Sequence, residues 1–161
     1  MRKKGLSPYI STTLVFAIGI AVIYLVLSTI KPTLDKAKDT AIVTEAFQNL
    51  QLINTNIKEV VSESEDSKRT VSLKVTDGTY IVDNLRDCIN FSYNLKSDLD
   101  ISGQRNNINI TRNIKTLNLF IEYNNIDIQG SDHFTKGVNS VIILHNGINT
   151  TTNHSMIYVG K

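Results

Sequence analysis

The chain has one cysteine, Cys88, among 161 residues. This excludes an internal disulfide framework and a cysteine-based zinc cluster. Tryptophan is absent, and the only prolines are Pro8 and Pro32. A strong charge of one sign is also absent. Seventeen Lys and Arg against fifteen Asp and Glu leave +2, too even a balance for a nucleic-acid binder. Arg2, Lys3 and Lys4 crowd three of the positive charges at the terminus, so the excess is a local tag. The sequence contains no G-x-S-x-G, H-E-x-x-H, P-loop or G-x-G-x-x-G pattern, the spacings that build common catalytic and phosphate sites. No enzyme, cofactor or small-molecule substrate is expected. His133, His145 and His154 match no ligand spacing and read as surface residues. Glu63, Glu65 and Asp66 lack the spacing and central glycine of a calcium loop. Cys88 lies in an apolar strand pattern and reads as a buried structural thiol.

The most consequential absence is of charge between Lys4 and Lys31. A simple soluble domain is therefore not the first reading. The segment Tyr9 to Ile30 is apolar, without interruption from Leu14 to Leu27, and its edges carry only the hydroxyls of Ser and Thr. As a helix it spans about 33 Å, enough for a bilayer core of roughly 30 Å. Hydroxyls are tolerated there because they bond back to helix carbonyls. The basic cluster places the N-terminus on the cytoplasmic side and the remainder outside. An ordinary secretory signal is the weaker reading, because no A-x-A-like site follows the run and Lys31-Pro32 comes next.

Lys3-Lys4-Gly5, then Leu6-Ser7-Pro8, then an uncharged helix resembles the class III signal of type IV pilin-like proteins, most closely the archaeal version. The resemblance is sharp over residues 1–30. It implies that a membrane prepilin peptidase cuts between Gly5 and Leu6, leaving the apolar helix on the mature chain. Bacterial pilins usually carry a glutamate at the fifth residue after the cut. Ile10 stands there, which moves the resemblance toward archaeal relatives. The implied function is a structural subunit of a surface filament, polymerised through its N-terminal helix by an assembly machinery. Its partners would be copies of itself and membrane lipid. Ala17, Gly19 and Ala21 allow close helix approach. The alternative is a single-pass anchored binding or accessory protein that does not polymerise.

Pro32 ends or kinks the helix locally, but helices with one proline often continue, and Tyr9 to Ser64 would then make a rod of about 80 Å. From Thr33 to about Ser64 the pattern is helical again. Val43, Ala46, Leu50, Ile53, Ile57 and Val60 step by 3, 4, 3, 4, 3 and form one apolar stripe, with Leu34 and Ala41 as a looser extension. Charges including Asp35, Asp39 and Glu45 are expected on the other faces. Residues 62–69 read as helix end and solvated linker.

From Thr70 the period becomes two. Asp77-Gly78 reads as a hairpin turn between Val71–Val75 and Thr79–Val82. Strand-like runs follow at 88–95, 107–113, 116–123, 126–128, 138–144 and 156–159, with turn signals that include Asn146-Gly147. The expected fold is α+β: a long N-terminal helix followed by an antiparallel β-sheet or small β-sandwich head, the ladle outline of pilin-like proteins. The expected organisation is a leader at 1–5, a transmembrane or filament-core helix at 6–30, an amphipathic helix and linker at 31–69, and an extracellular antiparallel β domain at 70–161. Asn90, Asn109, Asn149 and Asn153 begin Asn-X-Ser/Thr acceptor patterns. Asn149 and Asn153, in a polar loop, are the favoured pair. No aromatic-plus-basic stripe suits nucleic acid.

Overall fold

The computed structural model describes residues 8–130 and 132–161. The expected cleavage residues Lys3, Lys4, Gly5 and Leu6 lie outside them. Helix α1 runs unbroken over Pro8–Ser62, 55 residues, about 80 Å at 1.5 Å per residue. Pro32 is inside it, so the helix continues through the proline as one rod. A proline interior to a helix frees the carbonyl four residues back, here that of Ser28. Pro32 directly follows Lys31, the first charged residue after the apolar run, so the freed carbonyl lies in the last turn of that run.

Ten strands follow: β1 Lys68–Val75, β2 Thr79–Asp83, β3 Cys88–Asn94, β4 Gly103–Arg105, β5 Ile108–Asn113, β6 Thr116–Glu122, β7 Ile126–Gln129, β8 His133–Phe134, β9 Gly137–Ile148 and β10 Ser155–Gly160. They form two sheets, β1-β9-β10-β7 and β4-β5-β6-β3-β2-β8. The fold is α+β, as expected. The sheets are not wholly antiparallel, because β10 pairs parallel with β7, Ile157 opposite Ile128. Lys68 and Arg69, expected in the linker, already belong to β1.

Two expected turns are corrected. Asp77-Gly78 does not close a hairpin: β1 pairs with β9, whereas β2 pairs with β3. The chain instead steps here from one sheet to the other. Glu45 of α1 fixes the corner, accepting from the Thr76 amide and the Thr76 hydroxyl, both at 2.7 Å. Gly78 has φ +89°, and a Cβ there would come within 2.5 Å of the Phe91 ring, so both backbone and packing require glycine. Asn146-Gly147 does not end a strand either. It lies inside β9, whose pairing with β10 shifts register between Ser155 and Ile157. The real turn is one step later, closed by Asn153 N to Asn149 O and Asn149 N to His154 O.

One core joins helix and sheets. The stripe residues Val43, Ala46, Leu50, Ile53, Ile57 and Val60 are all buried, the last four completely. They pack with Leu73, Ile89, Leu117, Leu119, Val141, Ile143 and Ile157 from both sheets. Burying such a side chain is worth roughly 1.5–3 kcal/mol, so the second half of α1 is part of the head. Leu34 and Ala41 are exposed and do not extend the stripe.

Candidate functional site

The feature that demands a function is the first half of α1. Its most apolar window has a mean hydropathy of 2.5 and is entirely unburied. Tyr9, Leu14, Phe16, Ile23, Tyr24 and Leu27 are each more than half exposed. Apolar surface on this scale requires a cover of lipid or protein. The helix is long and apolar enough to cross a membrane and can anchor the chain there. Thr13, Ser28 and Thr29 turn their hydroxyls onto the carbonyls of Tyr9 and Leu25 at 2.8–3.0 Å. This removes their polar groups from the helix surface.

The small residues do not share one face. Ala17 and Gly19 are two residues apart, so they point about 200° apart at 3.6 residues per turn. Gly19 lies in a groove of about 540 Å³ with Val15, Phe16 and Ile23. Ala17 lies in another, of about 400 Å³, with Tyr9, Thr13 and Leu14. Ala21 is on Ala17's side by the same arithmetic. A Cβ at Gly19 would meet nothing within 4 Å. The helix therefore offers a close approach on two faces.

The bare half is aimed by a polar clamp at the base of the head. Asp39, expected on a solvated face, is completely buried. Its carboxylate accepts from Tyr93 Oη at 2.8 Å, Lys96 N at 2.9 Å, Ser97 N at 2.7 Å and Ser97 Oγ at 2.7 Å. Burial opposes its charge, but the bonds from Ser97, Tyr93 and the backbone outweigh that and lower its pKa. Asp39 is the true continuation of the stripe, four residues before Val43. Donors rather than apolar groups face it at the base of the head. Further along, Asn49 Nδ2 donates to Lys74 O at 2.8 Å and to Tyr80 Oη at 3.1 Å.

The acceptor asparagines are scattered. Asn90 on β3 and Asn109 on β5 are half-buried, and Asn90 Oδ1 is buried. Asn149 Nδ2, the atom a glycan would take, donates to Asp127. Asn153 is exposed in the β9–β10 turn at φ +60°. Asp127 also accepts from Thr152 Oγ1 at 2.8 Å, and its other oxygen lies 2.8 Å from His154 Nδ1. The Thr152 bond leads the contacts that lower the Asp127 pKa. This network ties the last turn to β7.

The histidines lie apart. His133 is exposed, His154 is half-buried against Asp127, and His145 is buried in β9. The surface reading of His145 is thereby corrected: its ring faces inward at the register of Ile157. Among the described residues no three His, Cys, Asp or Glu converge on a metal-sized site. Cys88 is buried, and burial raises its thiol pKa, which disfavours the reactive thiolate. Tyr80, Phe91 and Phe134 are core residues, with the Tyr80 and Phe91 rings 4.7 Å apart.

No family model, curated protein or solved structure matches the chain. The architecture, one long apolar N-terminal helix followed by a β-sheet head, is compatible with a pilin-like outline.

Proposed function

We propose that this chain is a structural subunit of a type IV pilus-like filament of the archaeal kind. It is made as a membrane-anchored precursor, trimmed after Gly5, and polymerised through residues 6–30. The observation that carries this reading is a wholly exposed apolar half-helix, continuous with a half-helix buried in the head. Lipid covers the bare half before assembly, and the same half of neighbouring subunits covers it afterwards. Grooves at Gly19 and at Ala17 on different faces favour neighbours on more than one side, as a non-closing helical assembly requires. The head lies outside the membrane, with Lys31 at the boundary, and carries glycans if any of its acceptor sites is used. Assembly needs a prepilin peptidase and an extrusion machinery.

A second reading, an anchored accessory protein that does not polymerise, draws on the same exposed apolar half-helix, which suffices as a single-pass anchor. Replacement of Gly5 by valine separates the two. Under the first reading it stops trimming and abolishes surface filaments. Under the second it leaves membrane level and surface exposure of the head unchanged.

A further inference from the structure

Between α1 and the end of the head from which the bare helix emerges lies an open cleft of about 560 Å³. Lys31 and Lys36 come from the helix, Lys96 from the segment after β3, and Lys115 from the β5–β6 turn. Asp35 and Asp98 also line it, and Arg112 lies 3.5 Å from Asp98. Lys96 is 3.9 Å from Asp77. Lys31, Lys36 and Lys115 have no ion-pair partner among the described residues. Lys31 and Pro32 are the first residues after the apolar run, so the cleft opens at the level where the helix leaves the bilayer.

Beside Lys115, at the tip of the same two-residue turn, stands Ile114. It is 84% exposed and has φ +53°. A β-branched residue in that conformation is a true outlier, at a position suited to Gly or Asn. Its side chain is almost wholly exposed, and the turn is held by Arg112 Nε donating to the Ile114 carbonyl at 3.1 Å; such strain often marks a functional contact.

We propose that this end of the head is a lipid-docking surface. The four lysines hold the phosphates of anionic headgroups, and Ile114 enters the apolar edge of the same leaflet. An exposed apolar tip next to Lys115 of a lysine-lined cleft has the amphipathic make-up of interfacial membrane contacts, and lysine serves phosphate as a compact charge. Docking holds the head against the membrane before assembly and fixes its tilt. The inference rests on residues 9–30 lying in a bilayer, and not on filament formation or on which leaflet faces out.

The sheet supplies an internal control. Leu85 is 91% exposed in the β2–β3 turn. Because Cys88 pairs with Glu122 and Asn94 with Thr116, that turn lies at the opposite end of the sheet from Ile114. The test reconstitutes the full chain in nanodiscs of phosphatidylcholine, alone or mixed with phosphatidylglycerol. An environment-sensitive fluorophore is placed at Ile114→Cys, Leu85→Cys or Phe16→Cys; buried Cys88 is out of its reach. The expected result has three parts. The Phe16 probe is quenched by lipid-borne quenchers in both bilayers. The Ile114 probe is blue-shifted and quenched in the anionic bilayer only, and the Leu85 probe in neither. Lys31→Gln and Lys115→Gln then each lower the docked-to-free ratio about fivefold, the factor for one lysine at an anionic surface.

An Ile114 probe that stays in water beside a quenched Phe16 probe overturns the proposal. Equal quenching in neutral and anionic bilayers overturns the assignment to anionic headgroups, because phosphatidylcholine carries a phosphate but no net charge. Binding of inorganic phosphate by the cleft in neutral nanodiscs, at strength equal to docking, makes free phosphate the ligand and overturns the lipid assignment. An unquenched Phe16 probe overturns the bilayer reading itself, a failure of a different origin.

Discussion

The carboxylate of Asp39 accepts a hydrogen bond from the hydroxyl of Tyr93 at 2.8 Å, and both side chains are buried. Through this contact the helix that carries the apolar anchor is joined to the sheet that forms the head. Three further donors from Lys96 and Ser97 complete the clamp. Bonds to a charged acceptor are worth about 1.5–3 kcal/mol each in mutational terms, and unpaired buried partners cost more than absent ones. Asp39→Ala is therefore expected to destabilise the head by about 2–4 kcal/mol. Tyr93→Phe removes one donor and should cost about 1–2 kcal/mol. Urea unfolding followed by circular dichroism in detergent micelles measures both.

The same residue sets an acid limit. Its pKa in the folded chain lies below the ordinary value of 3.8, so the unfolded chain takes up the proton first as pH falls. The contribution of Asp39 is complete above that value and is lost as pH drops through it toward the folded pKa. Asp127 shifts in the same direction and adds to the effect. Stability between pH 5 and pH 7 should therefore change little through these groups, and fall below about pH 4. Asp39→Asn should flatten that fall in denaturant midpoints measured against pH.

Gly78 occupies the step between sheets with φ +89° and no room before Phe91. Gly78→Ala imposes a left-handed conformation on a residue with a side chain and displaces a core ring. A loss of about 1–3 kcal/mol is expected. Leu50→Ala, at the centre of the stripe and completely buried, should cost about 2–5 kcal/mol. Thermal or urea unfolding gives both values, and the two changes should be nearly additive if they act separately.

The groove at Gly19 gives a prediction about assembly alone. Gly19→Leu fills a surface that touches nothing in the single chain. Membrane incorporation and head stability should be unchanged, because leucine is as apolar and helical as the position needs. Filament yield should fall, because close helix approach at that face is lost. Ala17→Leu tests the other groove in the same way. Sheared-filament yield against membrane content reads out each variant.

Much of this architecture is legible in the sequence, for physical reasons. Residues Val43 to Val60 announce their buried face because a helix against a sheet needs apolar groups at a 3.6 period, and every one of them is buried. Most strands are legible from their two-residue alternation. Asp39 was hidden because a carboxylate in a stripe reads as its polar edge. Its place four residues before Val43 was the available signal. Glu45 was hidden likewise, because its partner Thr76 is 31 residues away. Asp77-Gly78 and Asn146-Gly147 have strong local turn chemistry, but tertiary pairing decided otherwise. β9 is twelve residues long and holds β1 on one edge and β10 on the other. No local pattern encodes the parallel pairing of β7 with β10, since it joins segments that meet only in the folded head. Ala17, Gly19 and Ala21 read in sequence as one set of small residues; their spacing of two on a helix turns Gly19 away from Ala17, and the grooves beside them are seen in the folded chain.

The central claim is that the exposed half-helix is a processed, polymerising anchor. The most direct measurement is the intact mass and N-terminal sequence of the chain from native membranes and from sheared cell-surface material. The account predicts a chain that begins at Leu6 and is abundant in the sheared filaments. A chain that still begins at Met1 and is confined to membranes would contradict it.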